Sequence, residues 1–177
     1  MKIGIDVSQI AYGNTGVANY LSNLVREMVK NDEHEFVLFF SSLRRQFPIS
    51  NFQFPINVRI VKFPIPPTLL DTLWNKLHIL PVELFVGDVD WFITSDWTEP
   101  PARKAKKVTI IYDLIVYKHP EETDQKIVSV QKRKLSWVKK ESNIVFCISE
   151  SSKKDALEIL GIDESRIRVV YPGISTV

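Results

Sequence analysis

The chain has 177 residues, enough for one well-cored domain and too few for two ordinary ones. Its 45% hydrophobic, 25% charged and 11% aromatic content excludes general disorder, and a net charge of +2 leaves little whole-molecule attraction to nucleic acid or anionic lipid. The single cysteine, Cys147, excludes an internal disulfide framework and a multi-cysteine zinc site, which points to a reducing, cytoplasmic setting. The opening Met-Lys-Ile-Gly-Ile-Asp meets an acid at Asp6, too early for a secretory signal, and no apolar run approaches the roughly 20 residues of a spanning helix. A soluble domain is expected.

Taken in order, the chain alternates between two periodicities. Lys2 to Val7 is a short apolar strand, and residues 15–30 then repeat apolar side chains at helical spacing (Val17, Tyr20, Leu21, Leu24, Val25, Met28), with Thr15 as N-cap. Residues 35–41, EFVLFFS, are too continuously apolar for a half-exposed strand and read as buried on both faces. Residues 58–63 form a further strand closed by Pro64, Pro66 and Pro67, and residues 69–84 look helical but broken at Pro81. Three more β-branched strands are predicted at 91–94, 107–112 and 144–148, and a last one at 168–171. Helices at about 123–141 and 151–160 separate them, with Gly161 as a helix stop. Segments 43–57 and 62–68 read as loops. The alternation predicts an α/β fold with a doubly wound, mainly parallel, Rossmann-like sheet.

In such a sheet, ligands bind beyond the carboxyl ends of the strands. Asp6, Ser8, Gln9 and the loop Tyr12-Gly13-Asn14-Thr15-Gly16 follow the first strand. Ser95, Asp96, Trp97, Thr98 and Glu99 follow the WFIT strand; Asp113 and then His119 and Glu121 follow the central one; Ser149 and Glu150 follow NIVFCI. Polar residues at each exit mark either a common rim for a site or the ordinary emergence of strands into water. Glycines flanking a turn into a helix suit an anion held by free amides and the helix dipole, and equally suit a plain tight turn. The glycine spacing is not a dinucleotide fingerprint, the second strand ends in Ser41-Ser42 instead of an acid, and no Walker lysine is present.

Elsewhere the readings are blander. Asp88-Val-Asp90 precedes a strand, on the edge opposite the expected site, and reads as a solvated turn. His34, His78 and His119 are too dispersed for a metal spacing, and Cys147 reads as a core residue. The basic clusters Arg103-Lys104, Lys106-Lys107, Lys132-Arg133-Lys134 and Lys139-Lys140 read first as solvated faces. Beside Trp74, Leu77 and Leu80 they also admit peripheral contact with an anionic inner-membrane surface. Aromatics do not interleave with them, so nucleic acid is not an expected partner.

Four segments resemble the N-terminal domain of GT-B-fold glycosyltransferases of family 4, the group that includes mannosyl-, glucosyl- and other polysaccharide-building transferases. They are GNTGVANY at 13–20, WFITSDWTEPP at 91–101, IIYDL at 110–114 with His119-Pro-Glu121, and SESSKKD at 149–155 running to Leu160-Gly-Ile and then VVYPG at 169–173. The resemblance implies the acceptor-side half of a two-domain enzyme, with the donor site on a second, C-terminal domain absent from these residues. It implies nucleotide-diphosphate sugar as co-substrate, retention of anomeric configuration and no metal or other cofactor. The acceptor would be a cell-envelope polysaccharide or lipid-linked saccharide, and the isolated domain would be inactive.

Residue by residue, Gly13, Asn14, Thr15 and Gly16 would approach the donor phosphates, and Ser149 and Glu150 would lead to the hinge. Ser95, Asp96, Trp97, Glu99, His119 and Glu121 would shape the acceptor side, with Asp113 and Tyr112 at the reaction centre. Many relatives have His-Asp where this chain has Tyr112-Asp113. A phenol with a pKa near 10 donates hydrogen bonds but accepts protons poorly at neutral pH. Tyr112 therefore acts by position, or His119 or another rim residue replaces it, or the protein is catalytically weak. Asp113 orients the acceptor or balances charge at the anomeric carbon, or else caps a helix or turn. The alternatives to a transferase are a stand-alone, non-catalytic glycan-binding subunit completed by a separate donor-binding chain, and half of a sugar-nucleotide epimerase.

Overall fold

The computed structural model describes residues 1–13, 15–48 and 54–173. Seven strands form one wholly parallel sheet in the order β3-β2-β1-β4-β5-β6-β7. They are β1 (Lys2–Asp6), β2 (Glu35–Ser41), β3 (Val58–Phe63), β4 (Trp91–Thr94), β5 (Lys106–Ile111), β6 (Ile144–Cys147) and β7 (Ile167–Val169). The chain builds outward from β1 to β3, then returns to the other side of β1 to lay down β4. The sheet is α/β and Rossmann-like, as the alternating pattern predicts, and the crevice of a doubly wound sheet therefore opens between the ends of β1 and β4.

The continuous apolar runs follow from burial of both faces. In β2, Phe36, Leu38 and Phe40 enter one core with Leu21 and Val25, whereas Val37 and Phe39 enter another with Trp74 and Phe92. The first core lies under α1 (Gly16–Met28), which Thr15 caps by accepting the Ala18 N–H at 3.1 Å. Burying a leucine such as Leu21 contributes about 1.5–3 kcal/mol relative to leaving it in water. A third core gathers Leu135 and Val138 of α5 (Gln125–Glu141), Ala156 of α6 (Glu150–Glu158), and Val145 and Cys147. Burial pushes the Cys147 thiol up to about 11, in keeping with an inert core cysteine. Gly161 stops the last helix at φ +63°, a left-handed position that suits glycine.

Three regions depart from the sequence expectation. The helix expected over 69–84 with a break at Pro81 is instead α2 (Pro67–Leu70), running directly into a π-helical stretch, Asp71–Lys76. The break comes earlier, at His78 (φ 51°) and Leu80 (φ 61°), and only the short α3 (Glu83–Val86) follows Pro81. The left-handed turn is fixed by side chains. Trp74 Nε1 donates to Leu80 O at 3.0 Å, and the His78 ring stacks on Trp137 at 3.6 Å with Nε2 2.9 Å from Glu141. A short unforeseen helix, α4 (Ile115–Lys118), follows β5. The basic clusters are not uniformly solvated: Lys134 and Lys107 are buried, and Arg133 donates to Asp71 at 2.9 Å.

Candidate functional site

The sheet order brings the β1, β4 and β5 exits together. Asp6 ends β1 buried, its carboxylate accepting the Ser8 N–H at 2.9 Å. Burial pushes its carboxyl up, opposed by bonding to Ser8 and by the Lys134 charge. Beyond β4, Ser95 Oγ shares a 2.9 Å hydrogen bond with the Tyr112 hydroxyl beyond β5. Asp96 accepts from Gln131 Nε2 at 3.1 Å, and burial pushes its carboxyl up, eased by Lys134.

Two neighbouring depressions lie along this crevice. One, of about 430 Å³, is lined by Gln9, Tyr12, Thr15 and Val17 on one side and by Pro67, Thr68, Asp71, Asp96 and Trp97 on the other. The second, of about 250 Å³, has Tyr112, Asp113, Gln131 and Lys134 in its wall and shares Val17, Asp96 and Trp97 with the first. Of the expected site residues, Thr15, Ser95, Asp96, Trp97, Tyr112 and Asp113 are thus brought to one place.

Tyr112 is held from three sides. Its ring meets Tyr20 edge-on at 5.6 Å, its hydroxyl meets Ser95, and its carbonyl accepts from Ser152 Oγ at 2.7 Å. Burial pushes the phenol well above its ordinary value, so it acts as a fixed neutral hydrogen-bonding group and not as a proton acceptor. Asp113 is exposed, with one carboxylate oxygen accepting the Ile115 N–H at 3.0 Å. The turn-cap and site readings of Asp113 are therefore compatible: one oxygen organises the turn, and the residue also lines the second depression.

Other expected site residues lie apart. Glu99 is fully buried below the rim, where Oε2 accepts from Thr94 at 2.7 Å and Thr109 at 2.8 Å, and Oε1 accepts from Ser142 at 3.1 Å. Lys107 Nζ stands 3.3 Å from it, so Glu99 has no face toward a ligand in either depression. His119 is exposed at the end of α4, 3.5 Å from Glu121, and neither lines the wall beside Tyr112 and Asp113. Among the described residues, His119, Glu121 and Glu122 each place a ligand atom within 4.8 Å of the others, all three exposed. Ser149 caps α6 by accepting the Ser152 N–H at 3.1 Å, and Glu150 accepts from the Tyr171 hydroxyl at 3.3 Å. Tyr20 donates to Val170 O at 3.0 Å, which ties the 170–171 segment back to α1.

Asn14 lies outside the described residues. A Cβ added at Gly13 or Gly16 would meet nothing within 4 Å, so packing inside the chain does not require glycine at either place. Gly16→Ala is accordingly expected to leave stability within about 1 kcal/mol of wild type, since alanine is the better helix former. Chemical denaturation checks this; a loss above about 2 kcal/mol would mean that the loop serves the fold.

Lys134 was not among the expected site residues. It lies in helical step with Leu135 and Val138, fully buried, and its Nζ donates to Ser95 O. Burial pulls the ammonium below the usual lysine range, opposed by the carboxylates of Glu99, Asp96 and Asp6. It anchors the β4 exit from beneath and balances the two acids of the crevice. No curated protein matches the chain. The model of one family, Glycosyltransferase Family 4, matches residues 14–177. It covers the crevice residues from Thr15 to Lys134, and the chain belongs to that family.

Proposed function

We propose that these residues form the acceptor-side domain of a nucleotide-sugar-dependent hexosyltransferase that builds a cell-envelope polysaccharide or extends a lipid-linked saccharide in the cytoplasm. The observation that carries the reading is the crevice itself. An exposed carboxylate (Asp113), a fixed phenol–serine pair (Tyr112–Ser95) and a half-buried acid (Asp96) converge at the switch point of a parallel sheet in a glycosyltransferase chain.

The chemistry suits a sugar hydroxyl. Asp113 accepts its hydrogen bond and orients the oxygen, while Tyr112 and Ser95 fix a second hydroxyl without taking a proton. Trp97, which lines both depressions, supplies an apolar wall for a pyranose face. The Gly13–Gly16 loop would approach the diphosphate of a donor held on a second domain, with Ser149, Glu150 and Tyr171 beside the hinge. Transfer would retain configuration and proceed without a metal, and these residues alone would bind little donor. The firmly held phenol also suits a binding-only role, the second reading. Incubating the two-domain protein with labelled nucleotide-diphosphate sugars and saccharide acceptors separates the two. Label in the acceptor supports transfer; donor left intact with every acceptor leaves binding alone.

A further inference from the structure

We infer that the 77–84 turn, with Lys76, Arg103, Lys104 and Lys140 around it, docks this protein on the surface of an anionic lipid bilayer. The inference goes beyond the transfer chemistry and stands or falls independently of it. Four large apolar side chains lie in water within eight residues: Leu77 is 59% exposed, Ile79 46%, Leu80 40% and Leu84 56%. This is not a loosely packed edge, because the same stretch buries Trp74, Val82 and Val86. Nor is it a mobile tip. Leu77 N–H donates to Thr72 O at 3.0 Å, Ile79 N–H to Leu73 O at 2.8 Å and Val82 N–H to Pro101 O at 2.9 Å. His78 and Leu80 hold left-handed backbone, which non-glycine residues adopt at a cost, and the result is to leave leucines outside.

The charge around this turn is one-sided. Lys140 Nζ lies over the Trp137 ring at 4.6 Å, and the His78 ring of the turn stacks on the same indole at 3.6 Å. Arg103 and Lys104 are exposed and give their backbone N–H groups to Glu83 Oε1 at 2.8 and 2.9 Å, so both sit beside α3 and Leu84. The acids that touch the same stretch are engaged inside the protein. Asp71 is paired with Arg133 at 2.9 Å, Glu141 with Lys107 at 2.6 Å, and Glu83 with three backbone amides at 103–105. Lys76 is 3.9 Å from Asp71, but Arg103, Lys104 and Lys140 are exposed cations beside the leucines. Among the described residues the acids touching the turn are already partnered, and the arrangement is the complement of anionic headgroups over an acyl boundary. A protein partner recognised by a basic rim would be expected to bring acids of its own to it, whereas a bilayer offers both the negative layer and the apolar one in depth order.

The test is binding of the full protein to vesicles of phosphatidylcholine with about one-third phosphatidylglycerol, against phosphatidylcholine alone. Anionic vesicles are expected to bind at least about tenfold tighter, and added salt to weaken them. Leu77→Ser with Leu84→Ser is expected to lower that affinity about tenfold or more. Arg103→Gln with Lys104→Gln is expected to lower it by about 25-fold, at roughly fivefold per cation, and to flatten the salt dependence. The second pair uses only exposed charges and tests the idea even where the leucine pair perturbs folding. Absent binding to anionic vesicles, or binding that neither pair alters, overturns the inference. A concentration-dependent dimer abolished by the leucine pair also overturns it, in favour of a second copy on this face.

Discussion

Glu99→Ala is expected to destabilise the fold by about 3–5 kcal/mol, the loss typical of removing one partner from a buried charge pair. Its carboxylate joins three elements from inside. Thr94 on β4 and Thr109 on β5 face each other in register and both donate to it, as does Ser142 just after α5, with Lys107 3.3 Å away. Alanine would leave those hydroxyls short of an acceptor and open a cavity beneath the crevice. Lys107 keeps Pro100 O and Glu141, which holds the cost below that of a wholly orphaned ammonium. Glu99→Gln preserves the volume and one acceptor oxygen, and about half the loss is expected. Chemical denaturation of the three proteins checks this. A Glu99→Ala midpoint matching wild type would show that the polar cluster contributes nothing net to stability.

Asp113→Ala has the opposite signature. In the transferase proposed above it is expected to reduce turnover by about 10²-fold or more, as removal of a positioned group at a reaction centre does. Stability should change by about 1 kcal/mol or less, because the side chain is exposed and gives up one turn hydrogen bond to Ile115 N–H. Steady-state transfer kinetics alongside a thermal melt separate the two quantities. Turnover at the wild-type level would remove Asp113 from the chemistry and leave it as a turn acid. Tyr112→Phe is the useful companion, since it retains the ring against Tyr20 and deletes only the bond to Ser95.

The strands are legible because burial on both faces leaves an uninterrupted apolar run, and in β2 the two cores take alternate side chains of that run. The crevice is legible in outline for a related reason: each strand turns polar as it leaves the sheet, and a parallel sheet sends every such exit to one edge. What that rule does not distinguish is a polar residue that points outward from one that turns back under the sheet. Asp96 and Trp97 line the crevice and Ser95 backs it through Tyr112, but Glu99, two residues beyond Trp97, folds beneath it. Thr94 and Thr109, hydroxyls inside otherwise apolar strands, were the signal that a buried acceptor existed.

Lys134 was obscured by its neighbours, since a basic run on an amphipathic helix looks solvated throughout. Its helical step with Leu135 and Val138 places it inward, among three acids that make a buried ammonium tolerable. The turn at 77–80 carries no glycine or asparagine to announce its left-handed backbone. Its shape comes from contacts of His78 and Trp74 that are remote in kind from local propensity. Pro81 correctly marks an interruption, but the helix has already ended several residues earlier, at Lys76.

The central claim is that a saccharide sits at the β1–β4 crevice. Backbone amide shift mapping of the labelled chain, titrated with mono- and disaccharides and their diphosphates, tests it most directly. Perturbations should concentrate at Ser95–Trp97, Tyr112–Asp113 and the Gly13–Gly16 loop, and Asp113→Ala should weaken them without altering the rest of the spectrum. Saccharides that leave those amides unmoved, or that shift only residues at the opposite edge around Asp88 and Asp90, would contradict the account.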